Sequence, residues 1–390
     1  MGRPDDGVLS GAGTLSQRDR EVRDAVRAVV AESVAPAAAE VDARSRFPEA
    51  GYRALARAGL AGLLVPEAEG GSGDSTPAYV AAMEEIAAAC ASTSTVYMTQ
   101  MHCAYPILLA GDEAQRRRFL PALCDGGAYG ALAVTEPEAG SDVASLRTTA
   151  RRDGDAYVLD GAKSFITTGD RADVVVVFAT VDRDAGRDGI TAFLVERGTP
   201  GFASGKVLGK LGMRGSSTAE LFFEDCRIPA ANRLGAEREG WELSMRSVVK
   251  SRLSAAAQGV GIARAAWERA RDWAHTRGLT RGSRGAAQDT QFALADMHAR
   301  VSASRALLHD TAALVDASET DPVAAVAEAK LWCTDTAMAV ATDAVDLLGE
   351  DGDLAEHAVE RCLRDAKVTQ IYDGTNQIQR LLIARELRPA

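Results

Sequence analysis

From Trp241 to the end of the chain, apolar residues recur at helical spacing with almost no interruption. Four long helices fit this stretch, at about 242–276, 288–317, 322–349 and 356–388, the last broken at residue 373. Isolated helices gain little stability in water, so each must bury its apolar stripe against another. Four in succession fold back on one another as a bundle.

Upstream the pattern changes. Tyr157-Val158-Leu159, Val174-Val175-Val176-Val177-Phe178, Thr191-Ala192-Phe193-Leu194-Val195 and Leu221-Phe222-Phe223 are short β-branched or aromatic runs. Turn dipeptides such as Asp153-Gly154, Asp160-Gly161 and Asp188-Gly189 separate them, as in a β domain. Before residue 126 helical spacing rules again. It runs from about Gln17 to Arg44 (Val22, Ala25, Val26, Val29, Val30), then over 50–59, 78–90 and 94–111, with a short basic helix at 112–124. Pro66-Glu67-Ala68-Glu69-Gly70-Gly71-Ser72-Gly73 is a turn cluster, and residues 1–16 read as loose. The expected class is α+β: an N-terminal helical domain (1–125), a middle β-barrel-like domain (126–241) and a C-terminal four-helix bundle (242–390).

A chain of 390 residues can bury a large core, and 46% apolar with 25% charged residues is ordinary globular composition. The net charge of −11 argues against nucleic acid or an anionic membrane as the main partner. Charges break every apolar run, so no membrane span is expected, and the N-terminus lacks the apolar core of a signal peptide. Six scattered cysteines without a CxxC pair suit buried thiols in the cytoplasm; with five dispersed histidines, no metal site is expected. Gly259-Val260-Gly261 lies inside a helical pattern and lacks a third glycine, so it reads as a close helix contact, not a dinucleotide loop.

Within the last helical stretch, Ile371-Tyr372-Asp373-Gly374-Thr375 is a break. Gly374 permits the turn, and Asn376 with Gln379 has the form of a capping box for a new helix. Asp373 is the one charge in an apolar neighbourhood. Such a carboxylate either caps the following helix or serves as a general base with a raised pKa.

The segment Arg364-Asp365-Ala366-Lys367 through Ile371-Tyr372-Asp373-Gly374-Thr375-Asn376-Gln377-Ile378-Gln379-Arg380 resembles the C-terminal signature of the acyl-CoA dehydrogenase family, RDAK…IYEGTNEIQR. Val134-Thr135-Glu136-Pro137-Glu138-Ala139-Gly140-Ser141-Asp142 resembles the family's first signature, and the two occur in the family's order. The resemblance spans essentially the whole chain. It implies an FAD enzyme that removes hydrogens from the α and β carbons of an acyl thioester, with Asp373 where the family carries its glutamate base. Some members carry the base on a neighbouring helix, where this chain has Ser251.

The same resemblance implies flavin contacts. Leu132, Val134 and Thr135 would lie along the isoalloxazine, and Gly140 and Ser141 at the pyrophosphate. Lys163-Ser164-Phe165-Ile166-Thr167-Thr168-Gly169 matches a family strand; Phe165 would pack on the ring and Thr167 lie near N5. Thr375 and Gln377 complete the cofactor set within the subunit, while Arg277 and Gln288 would reach a neighbour's flavin. Substrate contacts would come from Ser94, Thr95, Met98, Met101, Ser141, Arg252, Tyr372 and Gly374. The implied assembly is a homotetramer, and the implied electron acceptor is an electron-transfer flavoprotein. Arg214 and the serines after it match a further family segment and could touch flavin or substrate. Plainer readings exist beside these: Phe165 as a core aromatic, Arg252 as a helix-surface charge, the methionines as core, Arg214 with its serines as a solvated turn.

Two departures stand out. Asp346 to Asp353 carries four acidic groups where the family has a glycine-rich stretch, and Arg277-Gly278-Leu279-Thr280-Arg281 keeps the arginine but loses a phenylalanine and a glycine. Aspartate also shortens the base by about 1.5 Å, roughly one C–C bond. The family's aspartate-base members include alicyclic acyl-CoA dehydrogenases and nitroalkane oxidases. The competing expectations are therefore an acyl thioester dehydrogenase, a nitroalkane-type oxidase, or a non-catalytic flavoprotein that binds a partner.

Overall fold

The computed structural model describes residues 15–281 and 285–387. Its N-terminal part is helical: α1 (Gln17–Val29), α2 (Ala38–Ala43), α3 (Glu49–Arg57), α4 (Thr76–Ala89), α5 (Ala91–Ala110) and α6 (Glu113–Asp125). Ser16 and Asp19 cap α1 reciprocally. The helix expected to continue to Arg44 instead loosens into a π turn at Val30–Val34 and a 3-10 turn at Ala35–Ala37. Pro36 explains the break, since it has no N–H to donate and its ring crowds the preceding turn. Helices α4 and α5 are buried on nearly every side, so they form the floor of this region.

The middle part is one eight-stranded sheet: β1 (Gly130–Ala133), β2 (Thr149–Asp153), β3 (Ala156–Thr167), β4 (Val174–Thr180), β5 (Ile190–Glu196), β6 (Phe202–Val207), β7 (Thr218–Pro229) and β8 (Arg233–Leu234). The order is β6-β7-β3-β2-β4-β5-β8, with β1 parallel to β4. The β-branched run of β4 is buried throughout, as its position between β1 and β5 requires. Strands β1, β2, β6 and β8 had no sequence signal. They are short or rich in Ala, Gly and Arg, and the ladder with their neighbours makes them strands.

The C-terminal part comprises α7 (Gly240–Thr276), α8 (Ala286–Ala317), α9 (Val323–Leu348), α10 (Val359–Thr369) and α11 (Asn376–Glu386), close to the four stretches expected. Gly259 and Gly261 do mark a close approach. A Cβ there would sit 2.9 Å from the Cys333 carbonyl oxygen of α9 and 2.5 Å from that of Glu84 in α4. A buried ion cluster seals the same junction: Glu84 meets Arg305 at 2.9 Å and Arg264 at 3.3 Å, and Arg264 meets Glu85 at 2.8 Å. Helices α4, α5, α7 and α9 thus converge, and the α10–α11 turn lands among them. No helix among the described residues is long and apolar enough to cross a membrane.

Candidate active site

The α10–α11 turn is fixed from several directions. Arg364 pairs with Asp42 of α2 at 2.6 Å. The buried Asp365 carboxylate accepts from the Met213 N–H, and a Cβ on Gly212 would lie 2.1 Å from the Arg364 carbonyl oxygen. The first half of the C-terminal signature is therefore a clamp between three parts of the chain. Burial pushes the Asp365 carboxyl up to about 6. At the turn itself, Lys330 of α9 is fully buried and donates to the Gly374 carbonyl (2.9 Å) and to Asn376 Oδ1 (2.8 Å). Gln379 Nε2 donates to the same Gly374 carbonyl at 2.8 Å. Thr375, not Asn376, caps α11: its hydroxyl accepts from the Ile378 N–H at 3.3 Å. Asn376 is spent on Asp335 and Thr334 instead, so the expected capping box is replaced by a tertiary network.

Asp373 sits in this turn with φ of 53°, a left-handed conformation that aspartate tolerates better than most residues. Its Oδ2 is buried without a hydrogen-bond partner. Burial raises the carboxyl pKa; His102, Lys330, Ser251 and Arg252 partly offset that. The structure thus brings Ser251, the second position at which family members carry the base, next to Asp373. Arg252 is buried rather than on the helix surface, and its Nε lies 3.7 Å from where a Gly374 Cβ would be. That Nε and His102 Nε2 are likewise buried without partners. His102 and Lys330 carried no motif. Only the packing of α5 and α9 against the turn reveals them.

Helix α5 supplies one wall. Met98 and Met101 are buried in the same apolar cluster against which Tyr372 packs. Ser94 and Thr95 are already satisfied: both donate to the Ala91 carbonyl and accept from Gln258 Nε2, at 2.6 and 3.0 Å. Thr95 Oγ1 is also 3.1 Å from Met213 Sδ, which lies 3.9 Å from the Tyr372 hydroxyl.

A second group of residues gathers at the end of the sheet. A buried ion pair, Lys163 to Glu136 at 2.7 Å, holds the 134–141 loop over β3. Lys163 also donates to the Val134 carbonyl at 3.0 Å, and Glu136 accepts from the Arg147 and Thr148 N–H groups at 2.5 and 3.0 Å. Burial lowers Lys163 to about 8. Leu132, Val134, Thr135 and Thr167 are partly exposed, and Gly140 and Ser141 are exposed, with open space where a Gly140 Cβ would stand. Phe165, far from being core, is 65% exposed at a left-handed φ of 59° inside the irregular register between Lys163 and Ile166. Beside it, the hydroxyls of Thr168, Ser216 and Ser217 are buried with no partner. The Thr168 N–H donates to the Ser217 carbonyl at 2.9 Å, so these three hydroxyls share one place. An exposed aromatic ring, an open glycine and orphaned hydroxyls fit a planar, polar cofactor.

Three family models cover the chain in order: acyl-CoA dehydrogenase N-terminal domain over 16–127, middle domain over 131–226 and C-terminal domain over 238–388. The chain belongs to the acyl-CoA dehydrogenase family. It is 42% identical to the cyclohex-1-ene-1-carbonyl-CoA dehydrogenase of Geobacter metallireducens, over 96% of this chain and 98% of that protein. The probable acyl-CoA dehydrogenase FadE25 of Mycobacterium tuberculosis is 40% identical over 96% of both. The solved structure of butyryl-CoA dehydrogenase from Megasphaera elsdenii matches with a TM-score of 0.91 at 36% identity, covering 96% of this chain and 98% of that one. This acyl-CoA dehydrogenase is therefore a flavin oxidoreductase of a FAD-dependent family.

The remaining expected residues lie elsewhere. Arg277 ion-pairs with Asp351 and stacks on Trp273 at 4.4 Å, while Trp273 Nε1 donates to Asp351 at 2.9 Å. The acidic run thus holds Arg277 within its own chain. Gln288 is exposed in the first turn of α8, and Gln377 is exposed on α11. Arg214 Nε turns away to Ser45 Oγ at 3.3 Å.

Proposed function

We propose that this acyl-CoA dehydrogenase oxidises an acyl thioester across its α and β carbons, with Asp373 as the base that takes the α proton. The observation that carries the reading is the state of Asp373: a carboxylate oxygen out of reach of water, without a partner, on a turn braced by Lys330 and Gln379. Burial raises its pKa, which brings proton affinity closer to that of a general base working near neutrality. Arg252 and Lys330 bring positive charge that favours the ionised form. The Asp373 N–H, with no acceptor among the described residues, is available to the thioester oxygen as charge develops there. Met98, Met101 and Tyr372 give the acyl group apolar walls. FAD, when bound, supplies the hydride acceptor; Leu132, Val134, Thr135, Gly140, Ser141, Phe165, Thr167, Thr375 and Gln377 would hold it.

The wider reading is a cytoplasmic homotetramer that passes electrons to an electron-transfer flavoprotein. Trp332 and Leu381 of the C-terminal helices and Ile371 of the turn between α10 and α11 are half-exposed and would bury themselves against another copy; the exposed Gln288 would reach the neighbour's flavin, and Arg277 would do so only by leaving Asp351. The test of the central reading is anaerobic bleaching of the enzyme's flavin by a panel of acyl thioesters. Bleaching by at least one, without steady peroxide formation from nitroethane, is expected. Peroxide from nitroethane and no bleaching by any thioester would overturn it.

A further inference from the structure

Thr95, Met98 and His102 stand at i, i+3 and i+7 on α5 and so share one face. Thr95 reaches Met213 Sδ, and Met213 Sδ reaches the Tyr372 hydroxyl, so this face looks onto the Tyr372–Asp373 turn. His102 and Asp373 lie within electrostatic reach of each other. On the elements that meet here three buried polar atoms lack partners: Asp373 Oδ2, Arg252 Nε and His102 Nε2. The first awaits a proton and the second is its countercharge. The third has no task in the reaction.

Elsewhere on α5 buried polar groups are matched with care. Thr99 donates to the Thr95 carbonyl at 2.8 Å, and Gln100 accepts from the Gly130 N–H at 2.8 Å. A lone unmatched nitrogen on the wall nearest the base is therefore a recognition feature that awaits a ligand atom.

We propose that His102 determines the acyl specificity of this site, accepting an acyl group that carries a neutral hydrogen-bonding substituent, such as a hydroxyl, opposite its Nε2. This rests on the acyl thioester reading above. Asp373 is the charged group that acts on His102, and Asp373 is itself faced by Tyr79 from α4, Ser251 and Arg252 from α7, Lys330 from α9 and Tyr372. Burial favours the neutral imidazole, against the pull of Asp373. A hydroxyl both donates and accepts, so it satisfies either tautomer. A purely apolar acyl chain would instead leave the nitrogen dry and unpaired.

The experiment compares matched thioesters on the flavin-loaded enzyme: butanoyl-CoA with 4-hydroxybutanoyl-CoA, and pentanoyl-CoA with 4-hydroxypentanoyl-CoA. The readout is the anaerobic bleaching rate at limiting thioester, together with the Kd of each thioester for the Asp373→Asn variant by calorimetry. Preference for at least one hydroxylated member by about tenfold to a hundredfold is expected. His102→Leu should abolish or invert that preference in both rate and Kd. His102→Gln, which keeps a hydrogen-bonding side chain, should retain part of it with flavin content and melting temperature unchanged. Equal rates within both pairs, or a preference that His102→Leu leaves intact, overturns the proposal while the dehydrogenase reading stands. Failure of every thioester to bleach or bind overturns both.

Discussion

Replacing Asp373 by Asn removes the proposed proton acceptor and little else. Asparagine has the same shape and accepts the left-handed φ of 53° as readily as aspartate, so the turn held by Lys330 and Gln379 should keep its geometry. Loss of a general base is worth about two to four orders of magnitude in rate. Stability should move the other way. The folded-state pKa of Asp373 is raised, so the folded protein holds its proton to higher pH than the unfolded chain does. Stability is then greatest below the unfolded value of 3.8 and falls as pH rises through the folded one. At neutral pH the wild type therefore bears the cost of a carboxylate with one oxygen buried and unpartnered, on the order of 1–3 kcal/mol. Asp373→Asn should melt at or above the wild-type temperature at pH 7.5, and the difference should shrink toward pH 4. The assay pairs anaerobic stopped-flow bleaching with calorimetric melting across that pH range. Bleaching at the wild-type rate would refute the role of Asp373 as base. A sharp fall in melting temperature would refute the view that its carboxylate is strained rather than structural.

Three further outcomes follow from particular contacts. Lys330 lowers the Asp373 pKa, so Lys330→Met should move the rising limb of the bleaching pH profile to higher pH while flavin stays bound; an unmoved limb would remove Lys330 from the charge environment of the base. Breaking the buried Glu136–Lys163 pair with Lys163→Met should cost about 3–5 kcal/mol and weaken FAD retention, because the 134–141 loop loses its tether, and the double variant with Glu136→Gln should recover much of the stability in denaturant melts. Asp365, pushed up to about 6, makes the fold lose stability as pH rises from about 4 to 6. Asp365→Asn should thus be more stable than wild type at pH 7.5, and an equal or lower melting temperature there would show that the Met213 N–H needs the full charge.

Periodicity located α7, α8, α9 and the paired helices α10 and α11, because long amphipathic stripes announce themselves. The two signature segments made Asp373 and the residues around Phe165 legible, because motif chemistry is local in the chain. What the sequence could not carry was anything whose meaning depends on a partner far away in number. Strands β1, β2, β6 and β8 exist because a neighbouring strand offers them a ladder, not because of their own side chains. Asn376 looks like a cap until Asp335 and Thr334 of another helix claim it. Arg252 reads equally as surface or site until α7 turns it inward. His102 and Lys330 have no motif at all; they acquire a role only when α5 and α9 pack against the α10–α11 turn. Sequence by itself determined the order of helical and β regions, which rests on periodicity along the chain, and its resemblance to the family singled out Asp373 as the base candidate. Tertiary structure alone decided which charges surround that base and which buried atoms are left without partners, because desolvation and Coulomb forces act through space.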